Sequence, residues 1–369
     1  MTGTQIEIQI IALITALACA LPGIFLVLKR MALISDAISH SILIGIVATF
    51  FIVKDLGSPV IILGASLAGL LLVVIVEAIT RSKKVKEDAA IALLFPVFFS
   101  LGVILVSLFA SNIHLDIDAV LVGEIAYAPF DRMIIGGIDF GPRSLIIMGS
   151  ILVLNIIFFI LFYKEMKIST FDKAFAYSIG FLPGLFHYLF LGLVSITTVG
   201  AFDSVGAILV VALMIVPPTS AFLISKNLKS MIIYSLIIAG VSALSGYWIA
   251  HVINTNIAGA IASMSGIIFI VIFFFSPKNG MVMKMKRKKE HKIEFYSVML
   301  LVHISHHENT SSWEKECHQD HLDQHLSWDK SLIKKIVKRV LNENLAKLSE
   351  NFLKLTYLGK EKVANYMEK

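Results

Sequence analysis

The chain has 369 residues, of which 57% are hydrophobic and only 16% charged, with a formal net charge of +6 and a mean hydropathy of +0.83. A soluble domain needs a solvated surface, so this charge content excludes an ordinary soluble globular protein. Apolar runs such as "SLIIMGSILVLNIIFFILFY" approach the roughly 20 residues that cross a bilayer, and strands of alternating polarity are missing, which argues against a transmembrane barrel.

In chain order, the apolar stretches predict spans at 6–28, 35–53, 59–79, 89–110, 144–163, 184–200, 204–224, 231–252 and 257–275, each bounded by charge, Pro or Gly. Only "AFD" separates the sixth from the seventh, so the count is eight or nine. The connection 111–143 is long, and its "AVLVGEIAYAPF" reads as a segment that dips into the membrane. The first span contains "TALAC", similar to a lipoprotein cleavage site at Cys19. No Lys or Arg precedes it, and Lys29 and Arg30 follow, so a retained helix is expected. With Cys19 in a span and Cys317 near the C-terminus, no disulfide framework is expected.

The basic residues segregate. Lys29, Arg30, Arg81, Lys83, Lys84, Lys86, Lys164, Lys167, Lys173, Lys226, Lys229, Lys278, Lys284 and "KRKK" at 286–289 fall on one set of connections. The alternate set carries Lys54, Arg132 and Arg143. The positive-inside rule then places the N-terminus outside and the C-terminal tail in the cytoplasm of a multi-pass inner-membrane protein.

The second span opens on "ISDAISHS". Asp36 and His40 stand at i and i+4 and share a helical face, with Ser35 and Ser39 beside them. A charge at the centre of a span costs roughly 2.5–3.5 kcal/mol on insertion scales, so the pair should face a cavity, a partner or an ion. Carboxylate plus imidazole suits a borderline divalent ion such as manganese, iron or zinc, whereas magnesium and calcium want oxygen alone. A His–Asp hydrogen bond or a proton relay would use the same spacing. Glu77, His187, His251 and Asn254 read individually as packed, snorkelling or solvated residues.

Several stretches carry a family resemblance in order. "MALISDAISHSILIGI" resembles the second-helix signature of the metal-ion permeases that serve binding-protein-dependent ABC importers. "KEDAAIALLFPVFFSLGVILVS" resembles that family's next loop and helix, "TFDKAFAYSIGF" its cytoplasmic coupling segment, and "VGAILVVALMIVPPTSAFLI" its late Gly/Pro-marked helix. Together they span about residues 6–275. The resemblance implies that Asp36 and His40 hold the ion along the pathway. It implies that Phe171, Asp172, Lys173, Phe175 and Tyr177 form a short helix that docks into a separate ATPase subunit. It also implies an external metal-binding protein as donor, and pairing of the permease with itself or a related permease. No GxxxxGK[ST] stretch and no hydrolase or redox motif occurs, so the expectation is a transport subunit and not an enzyme, with no covalently bound cofactor and the metal as substrate.

Beyond residue 280 the composition turns hydrophilic, giving a permease domain 1–280 and a tail 281–369. "SLIKKIVKRVL" puts Leu332, Ile333, Ile336, Val337 and Val340 on one face and Lys334, Lys335, Lys338 and Arg339 on the other. "LSENFLKLTYLGKEKVANYMEK" reads as a β-ribbon, a Gly359-marked turn and a last helix. The tail is similar to the winged-helix domains of metal-dependent repressors, which implies a basic helix able to enter a major groove and hence DNA as a partner through the tail alone. The expected fold is therefore an all-α polytopic membrane protein with a small cytoplasmic α+β tail. Ahead of the basic helix lies a histidine-dense stretch with His303, His306, His307, Cys317, His318, His321 and His325, an imidazole and thiol set suited to zinc or iron, or alternatively a His-rich loop of adventitious affinity. Three functions remain open: an ABC metal importer subunit, a proton-coupled secondary metal transporter, and a membrane-tethered metal-responsive regulator.

Overall fold

The computed structural model describes residues 3–54, 58–109, 125–135, 138–277, 280–308, 310, 316–318, 322 and 328–367. They fall into two compact units, Met1–Gly280 and Met281–Lys369.

The first unit holds, among the described residues, nine helices long and apolar enough to cross a membrane. These are α1 (Gly3–Leu28), α2 (Ala32–Val53), α3 (Pro59–Arg81), α4 (Glu87–Phe109), α5 (Arg143–Leu161), α8 (Pro183–Val205), α9 (Ala207–Ile224), α10 (Leu228–Ile253) and α11 (Ile257–Phe275). Two short helices, α6 (Tyr163–Phe171) and α7 (Lys173–Ser178), lie between α5 and α8. Local chemistry sets the ends. Ser58 accepts from Val60 N–H at the start of α3, Asn227 and Ser230 form a capping box on α10, and Asn256 accepts from Gly259 N–H on α11. The sixth and seventh spans part at Gly206, whose φ of 80° belongs to the left-handed half of the map that glycine occupies freely, three residues beyond the expected "AFD".

α1 lies at the centre, packed against α9, α10 and α5, and its segment Ala18–Leu26 is almost wholly buried. α2 packs on α3 and α4. Polar side chains tie the bundle internally. Asn155 of α5 donates to the Ala18 carbonyl of α1 at 2.9 Å and meets Thr197 of α8 at 3.1 Å, and Ser195 of α8 donates to the Ser66 carbonyl of α3 at 2.8 Å. Such bonds contribute about 0.6 kcal/mol each between helices in membranes. Between α4 and α5, part of the expected re-entrant segment (119–124) lies outside the described residues. Ile125 and Ala128 are buried against the bundle. A hairpin of β1 (Arg132–Ile135) and β2 (Ile138–Pro142) then leads into α5, with Arg132 reaching Asp139 at 2.5 Å and Glu7 at 3.4 Å.

The second unit is built from α12 (Met281–His307), α13 (Lys330–Asn342), the antiparallel ribbon β3 (Ala346–Ser349) and β4 (Phe352–Leu355), and α14 (Tyr357–Met367). Its core gathers Leu300, Leu301 and Ile304 of α12, Ile333, Ile336, Val337 and Val340 of α13, and Leu353 of the ribbon. The apolar face expected for 331–341 is the buried one, with Leu332 packed at its edge and Lys334, Lys335 and Lys338 outside. The ribbon turns through Glu350 and Asn351, both left-handed (φ 52° and 67°) as a two-residue hairpin turn requires. Gly359 differs from expectation. It sits inside α14, not in a turn; Thr356 caps the helix, its hydroxyl accepting from Gly359 N–H. Glycine is required there by crowding, since a Cβ would stand 2.0 Å from the Leu345 carbonyl oxygen.

Candidate functional site

Arg30, whose left-handed φ of 61° turns the chain out of α1, is followed by Met31, the N-cap residue of α2. Within α2 the two kinds of polar residue face opposite ways. Ser35 and Ser39 are buried; Ser35 donates to the Met214 sulfur of α9 at 3.1 Å, and Ser39 donates to the Ser35 carbonyl. Asp36 and His40 look outward. His40 Nε2 lies 3.6 Å from Asp36 Oδ1, with side chains 30% and 47% exposed respectively. Two aromatic rings of α4 frame the imidazole, Phe95 at 5.1 Å and Phe99 at 6.0 Å between centroids. The pair is thus assembled as its i,i+4 spacing dictates, on a side of α2 that is partly exposed among the described residues. It offers one carboxylate and one imidazole, fewer donors than a divalent ion fills.

The coupling-like segment is two helices, not one. α6 ends at Phe171, the backbone breaks at Asp172, and α7 starts with the Asp172 carboxylate accepting from Phe175 N–H at 2.9 Å. Asp172 is therefore an N-cap. Phe171, Phe175 and Tyr177 are 63%, 52% and 61% exposed, while Ala176 between them is fully buried, so α7 is seated on the bundle and presents its aromatics outward.

Beside α6 and α7 opens a cavity of about 650 Å³, lined by Lys29, Glu77, Arg81, Lys173, His187 and Tyr188 among others. Here the structure joins residues that sequence reasoning treated singly. Glu77 of α3 is bonded to His187 of α8, accepts from the Tyr188 hydroxyl at 2.7 Å, and pairs with Arg81 at 3.7 Å. The signals were an i,i+4 Glu–Arg pair and an adjacent His-Tyr, too common separately to be joined. Burial pushes the Lys29 ammonium down to about 8; the Lys173 charge adds to the fall and Glu77 opposes it. At the far end of α10, His251 stacks on Tyr247, and Asn254 is the left-handed C-cap.

In the tail, His303 and His307 of α12 and Glu316 each place one donor atom within 4.8 Å of the others. His306 is exposed and outside that group. Cys317 points into the tail core, where burial, with Glu316 and Glu308 adding, pushes its thiol up to about 11; it stays a protonated apolar group. His318 turns to the ribbon, its ring 5.1 Å from Phe352. His321 and His325 lie outside the described residues.

Nine apolar helices among the described residues, with basic connections and a polar pair on one span, define a polytopic membrane protein. The profile of the ABC 3 transport family matches residues 4–276, and the chain belongs to that family. It is 44% identical over 353 residues to the zinc transport system membrane protein TroD of Treponema pallidum, covering 96% of each chain, so that match runs through most of the tail. It is also 44% identical over 274 residues to the manganese transport system membrane protein MntD of Bacillus subtilis, covering 74% of this chain and 92% of the relative. The solved structure of PsaBC from Streptococcus pneumoniae in complex with Fab resembles it with a TM-score of 0.63 and 28% identity, over 76% of this chain and 94% of that one.

Proposed function

We propose that the divalent ion carried by this ABC importer subunit passes the Asp36–His40 pair, which lies on a face shared with a second permease subunit. The observation that carries the reading is an Asp–His pair, 3.6 Å apart and partly exposed, on a membrane-spanning helix. Left against lipid, the carboxylate would cost several kcal/mol. A second permease copy, or a related permease, would cover it, complete the ligand set and close a path between the two. Two ligands per subunit are enough to replace part of the hydration shell while leaving the ion releasable, which passage requires.

The orientation follows from the basic connections, with the Lys29/Arg30 end of the bundle in the cytoplasm and the N-terminus outside. At that end the exposed Phe171, Phe175 and Tyr177 supply a rigid aromatic surface of the kind that fills a partner's cleft, here that of a separate ATPase subunit. An external binding protein delivers the ion. The tail reads as a winged helix, supported by α13, the two-stranded ribbon and the flanking helices α12 and α14.

The relatives named for zinc and manganese are equally identical to this chain, so the informative test compares metals. Cells expressing the permease with its ATPase and binding protein are assayed for manganese, iron and zinc by elemental mass spectrometry. Asp36→Asn and His40→Ala should abolish accumulation of the transported ion at normal membrane levels of protein. Full uptake in both variants would remove the pair from the path. Uptake that persists without the ATPase would favour a proton-coupled carrier.

A further inference from the structure

We propose that His303, His307 and Glu316 form a second metal site, a three-ligand station in the tail that retains a borderline divalent ion. It is chemically independent of the pair on α2, and its failure would leave the transport reading untouched.

The first support is convergence. His303 and His307 stand one turn apart on α12, with ring centroids 4.7 Å from each other. Glu316 comes from a different segment: His303 Nε2 lies 3.7 Å from its Oε2 and 3.1 Å from its backbone oxygen. Donor atoms around zinc at 2.0–2.1 Å sit about 3.4 Å apart, so side-chain rotations close the observed spread without backbone movement.

The second support is that the fold holds Glu316 in place. Cys317, its neighbour, is fully buried in the tail core, and the Cys317 carbonyl accepts from Leu353 N–H of β4 at 3.1 Å. His318 forms a backbone bridge to Phe352. Two consecutive residues are thereby pinned to the ribbon, and Glu316 is fixed facing α12. On the other side Leu300, Leu301 and Ile304 anchor α12 in the same core. Each ligand thus sits on backbone that the core positions, which lowers the reorganisation needed on binding.

The third support is partial shielding. The His303 and Glu316 side chains are 15% and 23% exposed, against 30% and 47% for His40 and Asp36. Water is reduced but an entry side remains. Two imidazoles and one carboxylate suit zinc or a similar borderline ion and leave a fourth position open; magnesium and calcium are disfavoured by the nitrogen donors. The cysteine that composition suggested as a ligand is absent from this set because its thiol belongs to the core.

The test uses the full-length protein in detergent, carrying Asp36→Asn and His40→Ala so that the pair on α2 contributes nothing, and titrates Co²⁺ as a spectroscopic probe. The expected result is one Co²⁺ per chain with a spectrum of nitrogen and oxygen ligands and no thiolate charge-transfer band. Adding His303→Gln or His307→Gln should weaken binding by about 100-fold, at or beyond the upper range seen when only the partners of a ligand are removed. His306→Gln should leave it unchanged. Where His303→Gln lowers the metal-free melting temperature, His307→Gln decides. The proposal is overturned by unaltered affinity in the His307 variant, by a thiolate band, or by equal losses with His306→Gln, which would mark diffuse affinity of a His-rich stretch.

Discussion

Asp36 and His40 on α2 share a helical face at i,i+4, and so do His303 and His307 on α12, yet the two pairs are finished differently. In the membrane unit the pair faces outward between phenylalanine rings, and this chain brings it no third ligand among the described residues. In the tail a carboxylate from another segment closes on the pair. The difference is one of ligand number. On the two proposals above, a pair of ligands would suit a station that an ion must leave, and three a station that holds it. Within each unit the spacing of the pair is a local property, while its completion depends on what the fold brings near.

The sharpest way to break this comparison is to give the pair on α2 a third ligand. Phe95 is placed for it, its ring 5.1 Å from His40. Phe95→His should raise the metal retained by purified protein and lower cellular uptake by about tenfold or more, the factor that about 1.4 kcal/mol of extra binding represents. Both are read by elemental mass spectrometry. Unchanged uptake with normal expression would mean that ligand number does not govern passage.

A second test asks whether tail backbone positions Glu316. Gly359→Ala would drive a Cβ to within 2.0 Å of the Leu345 oxygen, and backbone cannot yield there as a flexible side chain does. The expected cost is about 1–3 kcal/mol, typical of overpacking. It should appear as faster hydrogen exchange at the Leu353 and Thr356 amides, with the spans unaffected. Native-like protection in the variant would show that the α14 junction is looser than its geometry states.

The smallest effect concerns Cys317. Its thiol is raised from an ordinary 9.0 to about 11, so between those values the unfolded tail loses the proton while the folded tail keeps it. Bound protons are then fewer in the unfolded state, and tail stability falls as pH rises across that window; below it the contribution is fully present. Cys317→Ala should flatten the slope in a pH series of tail unfolding. A slope that survives the substitution would assign it to other groups.

Much of the membrane unit was legible in advance because a span needs only a local property, about 20 apolar residues bounded by charge. The boundary at Gly206 was displaced by three residues because helix propensity carried α8 through "AFD" until a backbone conformation stopped it. The single coupling helix became two because Asp172 caps the second instead of continuing the first. Gly359 was read as a turn because glycine most often marks one; here the reason is crowding against a carbonyl from elsewhere in the chain. Glu77 and His187 were weighed separately and Tyr188 was not singled out; their union is a contact between residues 110 and 111 positions apart.

What the sequence determined by itself was the class of protein, a count of eight or nine spans with their approximate ends, the family-wide order of motifs, and the Asp36–His40 spacing. Each follows from composition or from the 3.6-residue helical repeat, which acts over one or two turns. Only the tertiary structure decided that Ser35 and Ser39 turn inward while Asp36 and His40 turn outward, that Cys317 belongs to the core, and that Glu316 meets His303. Those outcomes depend on which distant segments pack together, and packing is settled by the burial of whole faces against one another, not by any one stretch read alone.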